Sequence, residues 1–308
     1  MKNFTLYCFL SAAFFCKQEQ IYMNSDGGLL QPDKDRPGMK VIGAKNKSFL
    51  MGWNADEAGT EWACFIGKHK VTFSYDFYMD STLVTQRDYL NLMHENPAVH
   101  KTGDLNLPVE HVTWYDAVLY CNARSKRDKL DSAYTYKEVI KHGDTIVKLT
   151  GFTFNNYKNG YRLPTNAEYE YTERGGKTGT YFFADSAKNL NELADAFAWS
   201  TNNSGGSTHP VATKKPNPFG VYDLIGNLFE WCNDWEGPYP LTNQVDPVGP
   251  PDGKTECGTF FIGSEKKVAK GGSYKTDVKG HMRICYHFKW PPATLTGEVG
   301  FRCVSIKN

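Results

Sequence analysis

Beyond about residue 180 the chain has little helical periodicity: Gly, Pro and Asn interrupt short aromatic runs, and few regular elements are expected there. The stretches 200–220 and 238–264 read as long loops held by turns such as Asn217-Pro218 and Pro250-Pro251-Asp252-Gly253. Loops of that length in a compact domain usually serve a function or are supported by a metal. The chain is nevertheless not disordered, because 40% apolar and 14% aromatic residues in 308 suffice for a packed core. No repeat of 20–50 residues and no low-complexity tract is present.

The first half is more regular. From His69 to Met79 the residues Val71, Phe73, Tyr75, Phe77 and Met79 alternate with period two, which predicts one strand with one buried face. Three helix starts follow, each a Thr with an acid three residues on: Thr85 with Asp88, Thr113 with Asp116, and Thr165 with Glu168. Tyr89, Leu92 and Met93 supply the apolar stripe of the first helix. Trp114, Ala117, Val118 and Cys121 mark one face of the second, so Cys121 points into the core. Ala167, Tyr169 and Tyr171 occupy the buried side of the third.

Residues 1–16 are read as a signal sequence: Lys2 precedes an apolar run, Phe4 to Phe15, too short to span a bilayer. Cys16 and the polar residues after it suit a lipoprotein signal with an acylated cysteine, although Phe15 is larger than signal peptidases prefer. The other reading is an apolar N-terminus without a targeting role. Residues 17–38 form a polar tether, and 39–308 the folded domain. Export places the protein in the cell envelope or outside the cell, with the membrane reached only through a lipid on Cys16. The 35 basic and 34 acidic residues are dispersed, so no electrostatic case for nucleic acid arises. Six cysteines remain beyond the signal, none in a CxxC pair, and an exported chain is expected to use some of them in disulfides.

Four blocks, in order, carry a resemblance. They are 108–117 (PVEHVTWYDA) with Tyr120-Cys121, 161–171 (YRLPTNAEYEY), 217–231 (NPFGVYDLIGNLFEW), and Gly271-Gly272-Ser273-Tyr274 with Gly300-Phe301-Arg302-Cys303. Together they resemble the formylglycine-generating-enzyme, or sulfatase-modifying-factor, family from about residue 45 to 305. The resemblance implies an α+β fold: a single loop-rich domain, C-type lectin-like, low in regular secondary structure. Enzymes of this family oxidise a sulfatase cysteine to formylglycine with oxygen and a copper ion held by two cysteines. Relatives on the fold include iron-dependent sulfoxide synthases, surface-displayed variable binders and gliding-motility lipoproteins.

The copper-binding pair of the family falls here on Thr276 and His281. Counting back from Gly300 also meets no cysteine at either position. Soft thiolates select Cu(I), and a hydroxyl does not replace one, so copper is not expected. His209, His281 and His287 match no ligand spacing. Cys285 is the one cysteine of this loop and a candidate reactive thiol; the resemblance also suggests a Cys232–Cys285 disulfide, and it implies Cys121–Cys303 more firmly. It further implies a structural Ca²⁺ held by the side chains of Asp223 and Glu230 and the carbonyls of Gly226 and Leu228, a hard oxygen set suited to that ion. Arg162 and Arg302 are read as buried ion-pair or carbonyl-binding residues. Trp231, Trp235, Tyr239 and Trp290 are either a stacking surface beside the C-terminal loop or core.

Two functions follow. One is a non-catalytic surface module binding a protein or glycan through loop 275–298. The other is an oxidoreductase of the formylglycine-generating type.

Overall fold

The computed structural model describes residues 36–52, 67–184, 189–238, 240–253 and 265–307. The signal sequence, Cys16, most of the tether, Cys64, Cys257 and Tyr239 lie outside the described residues. The chain divides into Met1–Gln31 and Pro32–Asn308, and all described residues belong to the second unit.

The first half of that unit runs β1 (Met39–Ile42), β2 (Ser48–Met51), β3 (His69–Thr72), β4 (Asp76–Asp80), α1 (Gln86–Met93), α2 (Trp114–Arg127), β5 (Tyr134–Thr135), β6 (Glu138–His142), β7 (Thr145–Thr150), β8 (Thr153–Phe154) and α3 (Asn166–Arg174). The second runs α4 (Leu190–Ala194), β9 (Phe229–Trp235), β10 (Gln244–Val245), β11 (Lys267–Lys270), α5 (Val278–His281), β12 (Phe288–Trp290), β13 (Val299–Gly300) and β14 (Val304–Lys307).

The strand expected over 69–79 is two strands. Val71, Phe73, Tyr75, Phe77 and Met79 are all buried, as the alternation requires. The ladder breaks at Ser74, whose N–H donates to Asp246 Oδ1 at 2.7 Å and whose hydroxyl donates to Asp246 Oδ2. A carboxylate brought from 172 residues away bends the chain there, so β3 joins a sheet of order β10-β3-β2 and β4 one of order β1-β4-β14. In the second of these sheets β14, near the C-terminus, and β1 flank β4, both antiparallel to it.

All three helices start with the expected capping box, in which Thr85, Thr113 and Thr165 accept from the backbone N–H of Asp88, Asp116 and Glu168. Each acid reaches back to the cap, satisfying a second helix-end donor. Every residue of α3 is buried, although four of its nine are charged. That is possible because the charges are paired: Arg162 grips Glu168 at 2.6 and 2.7 Å, and Arg174 grips Glu170 at 2.7 Å.

The second half is more regular than its sequence suggests. A four-stranded sheet of order β12-β11-β9-β13 forms there. In β9 six of seven residues are buried, so both faces of the strand are covered and no period-two signal exists to be read. Trp231 packs in the same cluster as Trp114, Phe301 and Cys303, which joins this sheet to α2. Among the described residues no helix is long and apolar enough to cross a membrane.

Candidate functional site

The block after β11 is built around two glycines with positive φ, Gly271 at 92° and Gly272 at 79°. A Cβ on Gly271 would stand 2.8 Å from the Tyr169 hydroxyl and 2.9 Å from the Leu224 carbonyl oxygen. One on Gly272 would meet Met282 and Thr276 at 2.8 Å, so both positions require glycine. The turn 223–230 bolts onto this block: the Gly226 N–H donates to the Gly271 carbonyl at 2.9 Å, and the Tyr274 N–H to the Asn227 carbonyl at 2.8 Å. Gly226 is itself obligatory, since a Cβ there would lie 2.3 Å from the Trp199 carbonyl oxygen.

Thr276 and His281, onto which the resemblance maps the copper-binding pair, both have partners within the protein. Thr276 closes a turn: its Oγ1 accepts from the Ser273 N–H and donates to the Ser273 carbonyl, each at 2.9 Å. His281 ends α5, its ring edge-on to Tyr286 and its Nδ1 3.3 Å from Asp277 Oδ2. His209 Nε2 is 2.7 Å from the Ser204 carbonyl oxygen, and His287 Nε2 is 2.8 Å from Glu236. The three histidines therefore have separate partners. No group of three or more His, Cys, Asp or Glu side chains suited to a metal occurs among the described residues.

Cys285 is buried, and burial pushes its thiol up to about 12, which leaves little thiolate for a nucleophile. Cys232 shares an apolar cluster with it, but Cys232 forms no disulfide and its sulfur lies 3.9 Å from the Glu230 carbonyl oxygen. The sulfurs of Cys121 and Cys303 stand 3.7 Å apart in the core, adjacent and unjoined.

In this arrangement the expected calcium ligands do not make a cation cage. Both oxygens of Glu230 take Arg302, from Nε and Nη2 at 2.6 Å, and Oε1 also accepts the Tyr169 hydroxyl at 2.9 Å. Glu230 is thereby neutralised, with a guanidinium beside the place a cation would need. Asp223 accepts from the Ala212 N–H at 2.8 Å, and burial raises its carboxyl to about 6. With Glu230 paired to Arg302, Asp223 is the one acid of the expected calcium set left, among the described residues, without an ion-pair partner to meet a divalent ion. Arg162 and Arg302 are both fully buried ion-pair residues, and Arg302 also donates to the Asp80 and Tyr222 carbonyls.

Sequence reasoning passed over a polar string beside the block. Fully buried Glu110 accepts from the N–H groups of Val99 and His100 at 2.7 and 2.8 Å. The His100 ring bridges it to Tyr274, with Nδ1 3.3 Å from Glu110 Oε1 and Nε2 3.3 Å from the Tyr274 hydroxyl. Ser273 donates to Glu298 at 2.9 Å, and Lys275 lies 3.5 Å from the same carboxylate. The residues come from separate segments: Glu110, Ser273 and Tyr274 lie inside recognised blocks, whereas His100 and Glu298 lie outside them and offered no signal.

Taken with the fold, these blocks define a sulfatase-modifying-factor-type domain. The chain matches the Sulfatase-modifying factor enzyme 1-like domain over residues 28–307 and belongs to that family. It is 39% identical over 255 residues to the chaperone protein LppX of Paenibacillus barcinonensis, covering 77% of this chain and 82% of that protein. To the formylglycine-generating enzyme of Streptomyces coelicolor it is 29% identical over 222 residues, 66% of this chain and 54% of the enzyme, so it spans about half of that enzyme's length. Among solved structures it is similar to Treponema denticola variable protein 1, with a TM-score of 0.70 and 26% identity over 87% of this chain and 95% of that one.

Proposed function

We propose that the chain is an exported, non-catalytic binding module that engages a protein ligand through the exposed side of segment 275–298. The observation that carries this reading is Thr276, tied into a turn with Ser273 where a copper enzyme needs a thiolate. The similarity to a protein named as a chaperone supports a protein ligand. A glycan ligand is less well served, because Trp231 is fully buried and the half-buried Trp290 and Trp235 are engaged with other rings, Trp290 with Phe229 and Trp231 and Trp235 with Trp114. Export rests on the apolar N-terminal run, and a lipid on Cys16 would hold the domain at the envelope.

The whole segment cannot be deleted to test this. Val278, Met282, Ile284 and Cys285 are buried and β12 pairs with β11, so its removal would open the core. The exposed Lys275, Lys279 and Leu295 can be changed instead. The full chain is expected to suppress aggregation of a heat-denatured client protein, and Lys275→Glu/Lys279→Glu/Leu295→Asp to lose that effect with its melting temperature kept. Stoichiometric Cu(I) binding with oxygen uptake on a sulfatase peptide would overturn the reading in favour of the oxidase.

A further inference from the structure

A cavity of about 650 Å³ lies between β2, β3 and the C-terminal end of α3, lined by residues that take no part in the site described above. Lys47, Lys68, Lys70, Lys177 and Arg174 line it, and no carboxylate does so among the described residues. The lysines are exposed, whereas the Arg174 side chain is only 8% exposed. Arg174 is paired with Glu170, whereas Lys47, Lys70 and Lys177 bring like charges together, which repel unless something of opposite sign relieves them. In a chain of 35 basic and 34 acidic residues, such a one-signed wall is a local concentration.

The cavity is also built to hold a body. Phe49 and Tyr171 form part of its wall, packed edge to face with ring centroids 5.4 Å apart. The Tyr171 hydroxyl is taken by the Gly43 carbonyl at 3.0 Å, so that ring offers carbon to the cavity. Arg174 uses Nε and Nη2 on Glu170 Oε1 and one Nη1 donor on the Gly179 carbonyl. A guanidinium has five N–H donors, which leaves two for a ligand. The volume is that of a small-molecule site.

We propose that this cavity binds a small organic anion, a phosphate or sulfate ester on an aromatic body. Its oxyanion meets the Lys47, Lys70 and Lys177 ammonium groups and the spare donors of Arg174. Its ring lies against Phe49 and Tyr171. Lysine ammoniums are point charges that suit a tetrahedral oxyanion without demanding the planar fork geometry of a carboxylate.

The test is calorimetric titration of the full chain with phenyl phosphate, phenyl sulfate, inorganic phosphate and phenol. One or both esters are expected to saturate with Kd below about 1 mM, and inorganic phosphate and phenol to bind at least about tenfold more weakly. Which ester binds more tightly identifies the head group. Lys70→Glu/Lys177→Glu, at exposed positions, is expected to weaken the ester by at least about tenfold with a melting temperature no lower than that of the parent chain. Vesicles of phosphatidylglycerol provide the macromolecular control and are expected not to retain the Cys16→Ser chain. The proposal fails if neither ester saturates, if phenol binds as well as the esters, if the double variant binds unchanged, or if only the vesicles bind.

Discussion

Arg162 and Glu168 are both fully enclosed, and Glu168 also accepts the Tyr75 hydroxyl and the Thr165 N–H. Removing the cation alone would strand a buried carboxylate. Arg162→Met is therefore expected to cost about 3–5 kcal/mol in urea unfolding, and Arg162→Met/Glu168→Gln to recover part of it. Glu173 shows the opposite situation. Burial raises its carboxyl to about 8 from 4.5, although Lys270 lies 3.8 Å away. Between those two values the folded state binds more protons than the unfolded one, so this group's contribution is fully present below pH 4.5 and is lost as pH rises through 8. Glu173→Gln is expected to flatten the decline in melting temperature over that window; an unchanged slope would assign the decline elsewhere. Glu236 acts at the acid end: its own burial is outweighed by His287 and Lys289, which hold it at about 2, so its contribution is lost as pH falls from 4.5.

At the scale of elements, the helix starts depend on neighbours three residues apart, which is why they are legible. Thr113 accepts from the Asp116 N–H at 3.0 Å while Asp116 Oδ2 accepts from the Thr113 N–H at 2.8 Å. Thr113→Ala is expected to lower stability by about 1 kcal/mol in denaturant unfolding, and Thr113→Ser to restore most of it. Strands were harder to place. The alternation over 69–79 correctly marked its buried residues but not the bend at Ser74, because Asp246, which makes the bend, is remote in sequence. In β9 a strand covered on both faces has no alternation to detect.

Over the whole molecule, Cys121 and Cys303 connect α2 to the residues just before β14, 182 positions apart. Oxidative folding is expected to join them, with the bond seen in the mass of the unreduced protein. A reductant should then lower stability by about 4–5 kcal/mol in the entropic picture of loop closure. Calcium gives a contrasting prediction. With Glu230 committed to Arg302, melting temperatures in chelator and in excess calcium are expected to coincide; a calcium-dependent rise would show that Arg302 yields its partner.

Local chemistry settled much of this protein before any coordinates: three capped helices, the buried face of 69–79, the inward Cys121, and four blocks whose order resembled one family. That resemblance also maps the family's copper positions onto Thr276 and His281. Tertiary structure alone decided what those residues do. Glu230 proved to be the partner of Arg302, 72 residues away, and a Glu110–His100–Tyr274 string formed from separate segments. The basic cavity arose because β2, β3 and the end of α3 converge. Capping and periodicity act over a few residues and leave a trace in the order of letters. Ion pairs, cavities and ligand sets depend on where distant segments meet, and that is settled only when the core closes.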